Sequence, residues 1–145
     1  RNPYYFSKVK AERAAWKFIE AKNPNFDLVV INPAMVYGPS LTKAINTSNQ
    51  VFIDILTGVF PGIINLGWSL VDVRDVAQAH ILAMETPSAS GRHICAHKSI
   101  SMRDLVALLA ELCYQGYKLP NLPIDNVFGK LLVRFAIIFQ PAGVR

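Results

Sequence analysis

The chain has little of what most directly announces chemistry. Its two cysteines, Cys95 and Cys113, lie far apart, without the close pairing of a zinc site or a redox motif. Both are expected to be buried small hydrophobes. His80 has no second His, Cys or Asp at metal-ligand spacing, so a packed histidine and no metal are expected. Eight glycines are present, yet no Gly-x-x-Gly-x-x-Gly or related fingerprint occurs. The turn that receives a dinucleotide pyrophosphate at a helix start is therefore not among these residues. Long apolar spans are also lacking: residues 131–133 and 135–139 are split by Arg134 and fall short of a membrane crossing. With no signal peptide either, the expectation is a cytoplasmic protein without a membrane partner. Acidic residues are the minority, 10 against 15 Lys and Arg, giving a net charge of +5. The basic residues are scattered rather than gathered into a stripe, which argues against nucleic acid. Lys8, Lys10, Arg13 and Lys17 do cluster, but Glu12 and Glu20 interleave with them, as on a solvated helix face.

What is present begins at once. In Asn2-Pro3-Tyr4-Tyr5-Phe6-Ser7-Lys8, Asn2 is a good N-cap and Pro3 suits the first helical position. Tyr4 and Lys8 are then four apart on one helix face. A nearby ammonium favours the phenolate and makes a phenol a usable proton donor or acceptor near neutrality. Tyr5 has Val9 at the same offset, so only Tyr4 has the cation. The helix continues to Asn23-Pro24. A continuous apolar run over residues 28–33 follows, as expected of a parallel strand covered on both faces. It empties into residues 34–39, expected as a sharp turn at the carboxyl end of the strand, where open α/β sheets bind ligands.

Tyr4-xxx-Lys8, helix, strand and then Asn32-Pro33-Ala34-Met35-Val36-Tyr37-Gly38-Pro39 resemble the extended short-chain dehydrogenase/reductase superfamily, the NAD-dependent epimerase/dehydratase type. Ala14-Ala15-Trp16, Asn46-Thr47-Ser48 and the segment from Val71 to His80 are most similar to its dihydroflavonol reductase, cinnamoyl-CoA reductase and NADPH-dependent aldehyde and ketone reductase branch. The resemblance covers about residues 2 to 115. It implies an α/β fold: the carboxyl-terminal part of a Rossmann-like parallel sheet over residues 1–40, then a small α/β substrate lobe over residues 41–145 with some elements returning to the main sheet. It also implies roles. Tyr4 would protonate a carbonyl oxygen as hydride arrives, and Lys8 would support it while bonding the nicotinamide ribose. Pro33, Ala34, Met35 and Val36 would wall the nicotinamide, and Thr47 and Ser48 would run past the cofactor phosphates toward the substrate. NADPH is expected in preference to NAD. The family's serine and glycine fingerprint have no counterpart here, so the chain is expected to be the carboxyl-terminal portion of a larger reductase, inactive by itself and with weak or absent dinucleotide binding.

The remaining sequence fits that plan. Residues 46–56 read as a helix, residues 58–67 as a loop, residues 68–73 as a strand, and residues 74–84 as a helix whose start Asp72 or Asp75 can cap. A strand is expected over residues 91–96, a helix opening at Ser101 in capping-box style, and a further helix over residues 127–139. At 52% hydrophobic and 17% charged, the chain is apolar enough to need a covering partner, either its missing half or another copy. Three functions follow: reduction of a small carbonyl substrate; epimerase, dehydratase or hydroxysteroid-type chemistry on the same Tyr–Lys pair; or a non-catalytic interaction relic.

Overall fold

The computed structural model of the chain describes residues 2–112 and 116–124. The expected helix over 127–139 and Cys113 lie outside them. Helix α1, Pro3–Lys22, starts where the Asn2 side chain accepts the Tyr4 N–H at 2.9 Å, with Pro3 in the first turn. It stops at Asn23, whose left-handed backbone (φ 42°) turns its N–H onto the Ile19 carbonyl. Asn is one of the few residues that tolerates this conformation.

Strand β1, Val29–Pro33, comes next, and the expected sharp turn after it is corrected by the structure: it contains a second strand, β2, Met35–Tyr37. The change of partner explains this. Ala34 N–H donates to the Cys95 carbonyl at 2.9 Å as the last tie to one sheet, and Met35 then pairs with Leu70 of another. The order continues as α2 Thr47–Leu56, β3 Gly67–Asp72, α3 Val73–Glu85, β4 Gly91–Cys95, β5 Lys98–Ser101 and α4 Met102–Glu111. Strands β1 and β4 form a parallel pair with Val29 opposite Gly91 and Pro33 opposite Cys95. The second sheet has the order β2-β3-β5, with β2 parallel and β5 antiparallel to β3. This is a mixed α/β fold of Rossmann-like character. Strand β5 was not expected, because Lys98-Ser99-Ile100-Ser101 has no apolar run and is held by pairing with distant residues, including the Ser69–Ser99 hydroxyl contact at 2.8 Å.

The core gathers under α2 and α4. Ile55 and Met102 are fully buried, joined by Ile63, Leu105, Val106 and Leu109, with Phe52, Trp68 and Ile100 packed on them. Each buried aliphatic side chain contributes about 1.5–3 kcal/mol. By contrast β1, expected to be covered on both faces, is only half-buried, with α3 against it. His80 is exposed on α3 rather than packed, its Nδ1 donating to the Val76 carbonyl one turn back. Cys95 is a half-buried free thiol at the end of β4, not a core hydrophobe. Among the described residues no helix is long and apolar enough to cross a membrane.

Candidate active site

Tyr4 and Lys8 are brought together as their spacing requires. Lys8 Nζ lies 5.5 Å from the Tyr4 ring centroid, within the reach of a cation–π contact, and Tyr5 packs edge-on to Tyr4 at 5.6 Å. Ser7 ties the turn by donating to the Tyr4 carbonyl at 2.7 Å. Tyr4 is 62% exposed, so the pair faces open space rather than a partly dry cleft among the described residues.

The second group of expected residues lies where β1 hands over to β2. Pro33 is exposed, and Ala34, Met35 and Val36 are half-buried. Val36 stands opposite Val71 on β2, an edge strand among the described residues, so one side of its backbone is unpaired within the described sheet. Next to it, Tyr37 packs edge-on against Phe52 of α2 with centroids 4.6 Å apart, and burial pushes its phenol pKa up. Tyr37 is thereby held in its protonated form and makes a packing residue.

Thr47 and Ser48 open α2, which packs on β2. Their hydroxyls are not the helix cap: the Asn46 side chain takes the Asn49 N–H at 2.7 Å. Asp72 caps α3 and accepts three hydrogen bonds from Arg74, one from its backbone and two from its guanidinium. Among the described residues no group of three or more His, Cys, Asp or Glu could hold a metal ion.

Two arrangements went unread in the sequence. Glu12, taken as part of a solvated face, has a side chain only 19% exposed and accepts from both Nε and Nη2 of Arg92 on β4 and from Trp16 Nε1. Arg92 lies 80 residues away along the sequence, so no local signal marked that contact. The Tyr37–Phe52 contact joins elements 15 residues apart along the sequence and has no local signature.

The residues suit the nicotinamide end of a dinucleotide. A phenol and an ammonium share one accessible helix face, and an edge strand offers unpaired backbone groups. The phosphates are not served: α1, α2, α3 and α4 are each capped by their own Asn2, Asn46, Asp72 or Ser101 side chain. No described helix therefore presents the open glycine-lined N-terminus that a pyrophosphate requires.

Comparison with known proteins shows the family. The NAD dependent epimerase/dehydratase family matches residues 1–95. The chain is 45% identical over 125 residues to cinnamoyl-CoA reductase CAD2 of Medicago truncatula, covering 85% of this chain and 36% of that protein. Among solved structures it is similar to Gre2 from Candida albicans, at 33% identity and a TM-score of 0.68 over 86% of this chain and 40% of that one. It is also similar to yeast methylglyoxal/isovaleraldehyde reductase Gre2, solved with NADPH, at 30% identity and a TM-score of 0.63 over 78% of this chain and 39% of that one. The chain spans about a third of the length of the curated relatives it matches.

Proposed function

Because the chain belongs to the NAD dependent epimerase/dehydratase family, we propose that it is the proton-donating, carboxyl-terminal portion of a reductase that reduces a small carbonyl compound with NADPH. The observation that carries this reading is the Tyr4–Lys8 contact on an accessible helix face. Residues 1–40 would be the carboxyl-terminal part of a nucleotide-binding domain, and residues 41–145 would be mostly substrate lobe, with some elements returning to the main sheet. The nicotinamide, when bound, supplies hydride to the carbonyl carbon. Tyr4 donates its proton to the carbonyl oxygen, and the Lys8 ammonium stabilises the phenolate left behind and bonds the ribose. Pro33, Ala34, Met35 and Val36 bound the nicotinamide, with unpaired backbone groups of β2 to hold its carboxamide. Ser48, with Thr47, would meet the cofactor phosphates through side-chain hydroxyls at the start of α2, not through a free helix N-terminus. A glycine-lined phosphate cradle and a cover over Tyr4 are not among the described residues.

The test is consumption of NADPH by the complete gene product with an aldehyde or ketone, and its loss in Tyr4→Phe. Turnover of a sugar nucleotide without net cofactor consumption would replace this reading with an epimerase.

A further inference from the structure

We propose that Glu12 and Arg92 are a positioning pair that sets the rotation of α1, and so the direction in which Tyr4 and Lys8 point relative to the β1–β4 sheet; the inference rests on the role proposed above for Tyr4 and Lys8. Tyr4, Lys8, Glu12 and Trp16 are spaced by four, and each step advances about 40° around a helix, so they share one winding stripe. At one end of the stripe Lys8 meets the Tyr4 ring. Further along, both Glu12 carboxylate oxygens are taken by the Arg92 guanidinium, and Trp16 Nε1 adds a third donor at 3.3 Å. A planar, two-point contact of this kind fixes orientation as well as distance.

The location gives the contact its consequence. Among the described residues none of the side chains of α1 is buried, so within this portion of the protein the two-point Arg92 contact is a directional tie between the helix and the sheet. Arg92 stands opposite Val30 of β1, the strand that runs into Pro33 and Val36. The tether therefore connects the helix carrying the proton donor to the strand leading into the nicotinamide wall. At a side-chain radius of about 5–6 Å, a 20° roll of the helix would move the phenol by about 2 Å. Misplacement of about 1 Å can cost about a hundredfold in rate.

The test compares Glu12→Gln, Arg92→Met and the exchanged double variant E12R/R92E in the complete gene product. Hydrogen exchange over residues 3–22 is read against α4 as an internal control, together with kcat and the KM for NADPH. Each single variant is expected to raise exchange in α1 about tenfold while α4 is unchanged. Each should lower kcat about tenfold and, because Lys8 turns with the helix, raise KM for NADPH, and the exchanged pair should recover all three. Unchanged exchange in α1, equal loss of protection in α4, or undiminished kcat in both single variants would overturn the proposal. Full turnover in Tyr4→Phe would instead sink the reading of the site, and the exchange data would then decide the tether alone.

Discussion

The ammonium of Lys8 sits 5.5 Å from the centre of the Tyr4 ring, on the first two turns of a helix whose start is fixed by Asn2 and Pro3. In the complete gene product Tyr4→Phe is expected to lower kcat by about 10²–10⁴-fold, the range of a lost general acid. Lys8→Met should lower it as well. Both substitutions keep most of the side-chain volume, so stability should stay within about 1.5 kcal/mol of the parent by chemical denaturation. A loss of activity that tracks unfolding would remove the chemical interpretation.

Much of the fold was legible because helix starts carry their own side-chain acceptors. Asn2, Asn46, Asp72 and Ser101 each bond a backbone N–H of the helix they open, so the beginnings of α1, α2, α3 and α4 could be read to within a residue or so. Strands β2 and β5 were not legible. Met35–Tyr37 is three residues between Pro33 and Gly38, which read locally as punctuation, and Lys98–Ser101 is polar and defined by its partner 30 residues away. The same contrast divides the site. Tyr4 and Lys8 meet through helix geometry alone, whereas Glu12 meets Arg92 across 80 residues, a contact no local pattern encodes.

The turn leaving β2 should be a demanding glycine site. Gly38 has φ 137°, and a Cβ there would lie 2.7 Å from Val73 Cγ1 at the start of α3. Gly38→Ala combines backbone strain with a clash, and a loss of about 2–4 kcal/mol is expected. Gly91 also has positive φ, 78°, but open space around it, so Gly91→Ala should cost only about 1–2 kcal/mol. Equal effects in thermal unfolding would show that the close approach of α3 is unimportant.

Met102 and Ile55 are both fully buried and face the same cluster from α4 and α2. Met102→Ala or Ile55→Ala should lower stability by about 2–5 kcal/mol through lost burial and a residual cavity. Leu41, fully exposed, is the control, with Leu41→Ala expected within about 0.5 kcal/mol. Urea midpoints measure the difference.

Acid sensitivity should trace to the cap of α3. The guanidinium of Arg74, then its backbone N–H, hold Asp72 well below the ordinary carboxylate value of 3.8, at about 2. A carboxyl whose pKa is lower folded than unfolded binds protons more readily in the unfolded chain. Its stabilising contribution is therefore complete above pH 3.8 and is lost as pH falls toward about 2. Asp72→Asn separates charge from capping, since Asn is an equally good N-cap and can still accept from the Arg74 N–H. The variant should unfold near the parent's temperature at pH 2 but below it at pH 5, with a flatter dependence between. A parent and variant whose melting temperatures fall in parallel from pH 5 to pH 2 would show that the Asp72–Arg74 contact contributes nothing to the folded state beyond the cap.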